Sequence, residues 1–274
     1  LSVPLHILVG DKAARKTTHG LKCHIASVEF PYGSFFREDT GLVISSPELC
    51  FMQMASELSF RELVALGYEL CGGYRLDSKG EVERGFRDDL SLTNTTKLAS
   101  YISRAAEQKG RVTALKALRY LADNSASPME TILTMLLTMP YQYGGYGFAV
   151  PKLNFRIDVP GKQRNSKKGS EYYGDLYWPE AKVDVEYDSD AYHTATDFIA
   201  KDAVRRNALS FVGATVVTVS RRQIANTEEM HKIAVLLSKL LKKRLQYPMP
   251  EFLGRRAALR KELFANRGES SPVL

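Results

Sequence analysis

Apolar and polar residues alternate with period two over Lys152–Val159, on both sides of Trp178-Pro179, and again over Thr215–Val219. Alternation of this kind marks strands with one face on a core. Spacings of three and four mark helices over Pro128–Met139, Asp197–Phe211 and from about Thr227 to Leu245. Ahead of these, VPLHILV and LKCHIASV are strand-like. A helix follows in VISSPELCFMQMASELS, started by Ser46-Pro47, and another in SFRELVALGYELCG, where Ser59 and Glu62 form a capping box and Gly72-Gly73 is the stop. TKLASYISRAAEQKG and RVTALKALRYLADNS give two more helices. The Asn- and Ser-containing stretch Asp123 to Ser127 reads as the seam between a small α/β module at 1–125 and a second domain at 126–250, with a basic tail at 251–274.

The densest chemistry lies in YGDLYWPEAKVDVEYDSDAYH, Tyr173 to His193. A two-residue turn at Pro179-Glu180 would pair Trp178 with Ala181 and Asp175 with Asp184. Alternation then puts Asp175, Tyr177, Lys182, Asp184, Glu186 and Asp188 on one face. Leu176, Trp178, Val183, Val185 and Tyr187 lie on the other, the core side. In this register Glu186 and Lys182 are the diagonal neighbours of Asp175, about 7–8 Å away between backbones. Carboxylates so placed repel unless one takes up a proton or a cation sits between them. Magnesium or manganese, with a preference for oxygen ligands, suits Asp175 and Glu186. The competing reading is a solvated acidic face.

Glu186-Tyr187-Asp188, then His193, Asp202, Arg205, Leu209 and Gly213 leading into ATVVTVS, form an ordered set in which no single motif is specific but the succession is. From about Ser127 to Ile224 the chain resembles the very-short-patch-repair-endonuclease-like (Vsr-like) branch of the PD-(D/E)XK nuclease superfamily. The resemblance implies a restriction-endonuclease-like mixed sheet flanked by helices, with Asp175 and Glu186 as metal-binding acids and the main-chain carbonyl of Tyr187 as a further ligand. It also implies an acid from the first helix of the core, a slot that Glu130 fills. Ser127-Pro128-Met129-Glu130 is equally a capping box, so both roles stay open.

One departure from the superfamily pattern bears on catalysis. The lysine expected two residues after the glutamate is replaced by Asp188. In the resembled branch a histidine near the site works without it, which makes His193 the candidate acid or base, with Lys182 second. Asp202 and Arg205 form a local ion pair, or Arg205 contacts phosphate. The front half is loosely similar to AbiEi-type antitoxin or regulator proteins, although the winged helix of such proteins is not evident.

Charge is uneven. Residues 1–125 hold 16 Lys+Arg against 15 Asp+Glu, and the remainder 22 against 16, so +6 of the net +7 lies in the half with the acidic tract. This is the balance expected of a protein that attracts a polyanion. Lys162, Arg164, Lys167 and Lys168 at a hairpin tip, and the tail KKRLQYPMPEFLGRRAALRKEL, are candidate phosphate contacts; solvated charge is the alternative. The loop YQYGGYGF lacks the ending of a phosphate loop and reads as a connector. Cys23, Cys50 and Cys71 have no metal-ligand spacing, which favours reduced thiols in a cytoplasm. The longest strongly apolar run, ILTMLLTM, falls far short of the roughly 20 residues of a membrane span. The chain opens at Leu1 in strand-like sequence without a secretory signal pattern, as a piece of a longer protein would.

The expectation is therefore a magnesium- or manganese-dependent endonuclease acting on DNA. The alternative is a nuclease fold with weak or no catalysis, serving as a DNA-binding regulator or antitoxin-like protein with a protein partner at its front module.

Overall fold

The computed structural model describes residues 5–16, 18–26, 28–77, 85–159, 170–188, 209–246 and 250–265. The fold is mixed α/β, and its principal sheet has four strands: β7 (Lys152–Val159), β8 (Ser170–Trp178), β9 (Val183–Asp188) and β10 (Thr215–Ser220). Their order is β10-β9-β8-β7, with β10 parallel to β9 and the other pairs antiparallel. Three two-stranded ribbons lie in the front half. They are β1 (Leu5–Val9) with β2 (Leu21–Ile25) in parallel, β3 (Phe35–Arg37) with β4 (Val43–Ser45), and β5 (Tyr74–Leu76) with β6 (Phe86–Asp88).

Between the ribbons stand α1 (Pro47–Met54), α2 (Phe60–Cys71), α3 (Thr95–Arg104) and α4 (Arg111–Leu118). Ser46 caps α1 by accepting the Leu49 amide, and Ser59 with Glu62 closes the capping box of α2. At the other end of α2, Gly72 leaves no room for a side chain: a Cβ there would lie 2.8 Å from the Tyr68 carbonyl oxygen.

Helix α5 (Pro128–Thr138) is the centre of the molecule, and all eleven of its residues are buried. A helix buried on every side has no solvent face to offer. Its polar members pair locally, Thr134 donating to the Glu130 carbonyl and Thr138 to that of Thr134. Beyond the sheet follow α6 (Arg221–Ala225), α7 (Thr227–Leu240) and α8 (Pro250–Ala265).

One continuous cluster of buried apolar side chains runs from Leu49 and Phe51 in α1, through Leu133 and Leu137 in α5 and Leu176 and Val185 in the sheet, to Leu259 and Phe264 in α8. The seam expected at Asp123–Ser127 is stitched into it. Ser125 is fully buried, its carbonyl accepts the Gly73 amide, and its hydroxyl meets Thr131 Oγ1 at 2.8 Å. Asp123 accepts both the amide and the hydroxyl of Thr95 at the start of α3. The stretch read as a basic tail is, over its described part, the docked helix α8. Phe252, Arg256, Leu259, Arg260, Leu263 and Phe264 are its buried side. Its position is fixed by Arg61 of α2, which donates to Glu262 at 2.6 Å and to the Tyr143 carbonyl at 3.0 Å. Among the described residues, no helix is long and apolar enough to cross a membrane.

Candidate functional site

Strands β8 and β9 are joined by the four residues Pro179 to Lys182 rather than by two. Trp178 pairs with Val183, Tyr177 with Asp184 and Leu176 with Val185. The expected register is therefore displaced by two residues. The cause lies at Lys182, which adopts left-handed φ of 52° and returns its amide to the Pro179 carbonyl, making a wider turn than proline alone suggests. A displacement of two preserves the faces. Leu176, Trp178, Val183 and Val185 enter the main core as expected, with Tyr187 packed against it.

The displacement changes who meets whom. Extending the observed register by one residue sets Asp175 across from Glu186 instead of Asp184. Lys182, expected as a diagonal neighbour of Asp175, instead lies in the exposed turn, where its Nζ donates to the Val212 carbonyl at 3.1 Å. That geometry removes the reason for placing it beside the acids.

Asp175 stands where the sheet changes faces. Leu153 and its partner Leu176 point into the main core, yet Ile157 and its partner Tyr172 belong to a second, smaller cluster with Tyr177, Leu209 and Ala214. Both strands thus exchange faces between these pairs. Left-handed Asn154, φ 44°, lies at the crossover on β7, and its place opposite Asp175 is missing from the ladder. A break of this kind re-aims side chains within a strand. Pairing between β8 and β9 also stops there, and Asp175 Oδ2 accepts the Tyr187 amide at 2.8 Å.

Glu130 approaches Asp175 from the first turn of α5. Its amide is capped by Ser127 Oγ at 3.2 Å, while its carboxylate accepts from Ser127 Oγ at 2.8 Å and from the Ala126 amide at 2.9 Å. The two readings of Glu130 are thus compatible, since one carboxylate both anchors the helix start and feels the charge of Asp175. Burial, and then the charge of Asp175, push its pKa up to about 7.

The acids of β9 are not a solvated face. Asp184 is fully buried, Glu186 nearly so, and Asp188 half-buried at the strand end opposite Ser220. Leu209, Ala214, Val212 and Val216 cover this side of the sheet. Asp184 leans on Gly174, where a Cβ would come within 2.6 Å of its Oδ1. Gly174 is thus required by a neighbouring carboxylate, a constraint that the sequence reading missed. Burial also touches Tyr177, whose pKa is raised by desolvation and then by the Asp184 charge.

Compared with known proteins, the chain matches no family model, no curated protein and no solved structure. What the site can do rests on its own geometry.

That geometry brings together Glu130 and Asp175, with Tyr187 held to Asp175, and places Glu186 across the strand pair. A buried carboxylate, Glu130, and a half-buried one, Asp175, within reach of each other's charge and offering oxygen donors alone, fit a hard divalent cation. Among the described residues, however, no group of three or more His, Cys, Asp or Glu is drawn together as a metal shell. His193, Arg205, Lys162, Arg164, Lys167 and Lys168 lie outside the described residues.

Proposed function

We propose that the protein is a metal-dependent nuclease of the Vsr-like, restriction-endonuclease-like kind, hydrolysing phosphodiester bonds in DNA. The observation that carries this reading is the placement of buried Glu130 within the field of the Asp175 charge, at a break in the sheet beside the central strand that holds Glu186. An arrangement that buries like charges together costs stability, and a divalent ion offsets that cost. Asp175, Glu186 and the Tyr187 main chain are the residues to hold magnesium or manganese, with Glu130 or Asp188 completing the set. The bound ion would supply a water of lowered pKa and neutralise charge developing on the phosphate. The chain's own part is orientation. The Tyr187 amide fixes the Asp175 carboxylate, Ser127 and Ala126 fix that of Glu130, and the apolar cover of Leu209, Ala214 and Val216 keeps solvent from the buried acids. The excess of Lys and Arg after residue 125 favours a polyanionic substrate.

Supercoiled plasmid incubated with the protein and magnesium or manganese tests this reading. Nicking that disappears in EDTA, and in Glu186→Ala with an unchanged circular dichroism spectrum, is the expected result. Plasmid left intact under all metal conditions overturns it.

The second reading, a DNA-binding regulator on the same fold, is favoured by Asp188 in the place of the superfamily's lysine and by the absence of a three-ligand group among the described residues. Retardation of DNA on a gel without metal-dependent cutting is its signature.

A further inference from the structure

A second cluster of charge lies away from the acidic strands, where α8 crosses the start of α7. Arg256 is only 7% exposed, as is Arg260 one turn later. The carboxylates of α8 are engaged elsewhere, Glu262 on Arg61 and Glu251 on Arg255. Arg256 donates through Nη1 to the Tyr146 hydroxyl at 2.7 Å, and its guanidinium lies over the rings of Tyr146 and Phe252 at 5.9 and 5.7 Å. Arg260 donates to the carbonyls of Ile224 and Ala225 at the end of α6. Arg256 Nε and Arg260 Nη1 are buried with no hydrogen-bond partner among the described residues.

Arginine cannot escape burial by losing its proton. Two guanidiniums one turn apart, each nine-tenths buried and neither in an ion pair among the described residues, therefore lack the counter-charge that such groups ordinarily have. Burial, and then the charge of Arg256, lower the pKa of Arg260 and that of His231.

Arg256 forms one wall of a cleft of about 210 Å³ whose other walls are Glu228, His231, Lys232 and Leu253. His231 stacks on Tyr146, with Nδ1 3.4 Å from the Tyr146 hydroxyl. We propose that this cleft binds a phosphate group, with Arg256 and Lys232 as its charge partners and His231 as a hydrogen-bonding wall; Lys232, whose Nζ donates to Glu229 Oε1 at 2.6 Å, exchanges that ion pair for the anion. Among the described residues Glu228 is the acid that lines the cleft, and it competes with the anion for Arg256 as Glu229 does for Lys232. The same chemistry is offered by free inorganic phosphate and by the terminal phosphate of a nucleic acid strand. The site does not depend on the metal reading of the acidic strands.

The test follows the imidazole resonances of His231 by NMR, assigned through His231→Gln, during titration with inorganic phosphate at ionic strength held constant with sodium chloride. A saturable shift is expected, weakened about tenfold or more in Arg256→Gln and Lys232→Ala, as loss of a charge-assisted contact implies, and strengthened in Glu228→Gln. Lys232 and Glu228 are both exposed, so these two variants decide the matter if Arg256→Gln does not fold. Short oligonucleotides bearing a 5′-phosphate or a 5′-hydroxyl then identify the source. Displacement of phosphate by the former alone assigns a strand end, and displacement by neither assigns the free anion. No His231 shift beyond the chloride control in the folded wild type, or equal binding by Lys232→Ala and Glu228→Gln, overturns the proposal.

Discussion

Asp175 Oδ2 accepts the backbone amide of Tyr187 at 2.8 Å, so an acid of β8 takes the place of a ladder bond to β9. The carboxylate is therefore structural as well as chemical. Asp175→Asn keeps an acceptor oxygen and should unfold close to wild type. Asp175→Ala leaves that amide without its acceptor, at a cost of about 1–3 kcal/mol. Both should abolish metal-dependent cleavage. Thermal unfolding beside plasmid nicking separates the two roles, and equal destabilisation by Asn and Ala would show that the amide contact contributes nothing.

Gly174 is the second lever on the same strand. Adding one methyl there meets Asp184 at 2.6 Å, and the fully buried Asp184 has little room to retreat. Overpacking of this kind costs about 1–3 kcal/mol. Gly174→Ala should lower the denaturation midpoint accordingly, and the double variant Gly174→Ala/Asp184→Gly should regain part of the loss.

Glu130 gives the protein a dependence on pH with a definite sign. Its folded pKa of about 7 lies above its ordinary 4.5, so between those values the folded state holds more protons than the unfolded state. Stability from this group is greatest below about pH 4.5 and is lost as pH rises toward 7. Melting temperatures measured in EDTA should therefore carry a falling component over this window. Glu130→Gln, which stays neutral, should flatten it. A magnesium-dependent rise in melting temperature at pH 7, smaller in the variant, would connect the same carboxylate to the cation.

Burial, and then Asp123, push the Cys71 thiol up to about 12, and its side chain is inaccessible. Alkylation of Cys71 should therefore require unfolding. Mass spectrometry after brief iodoacetamide treatment should find it unmodified in the native protein and modified in denaturant.

Arg61 ties α8 to the front helices through Glu262 and the Tyr143 carbonyl. The pair is partly buried, so Arg61→Ala should cost about 1–3 kcal/mol through the bonds left unmade. Removal of residues 250–265 should do far more, uncovering the apolar surface that receives Phe252, Leu259 and Phe264. Urea denaturation of the first, and soluble yield of the second, are the measurements.

Local signals in the sequence placed most of the regular elements. The capping box at Ser59 and Glu62, the proline at the head of α5 and the alternation of Lys152–Val159 each act over a few residues, and the structure has those elements where they were expected. The faces of β9 were also legible, because parity survives a displacement of two. What was not legible depended on distant partners. The turn residue Lys182 moved the register, and nothing local announced its left-handed backbone. The face change at Asn154 and Asp175 needs two strands to be seen together. The basic residues of α8 read as phosphate contacts or solvated charge, and the burial of Arg256 was not legible because the Tyr146 hydroxyl that it meets lies 110 positions away. The three front ribbons are short, and β3 through β6 carry too few residues for periodicity to register.

The continuous core sets an order for the chain's birth. Leu49 and Phe51 leave the ribosome early, but Leu259 and Phe264, which close the same cluster, emerge only after almost every other described element has been made. The nascent front helices must therefore wait, half-covered, for their last neighbour, and translation pauses late in the message would lengthen the time they depend on chaperones.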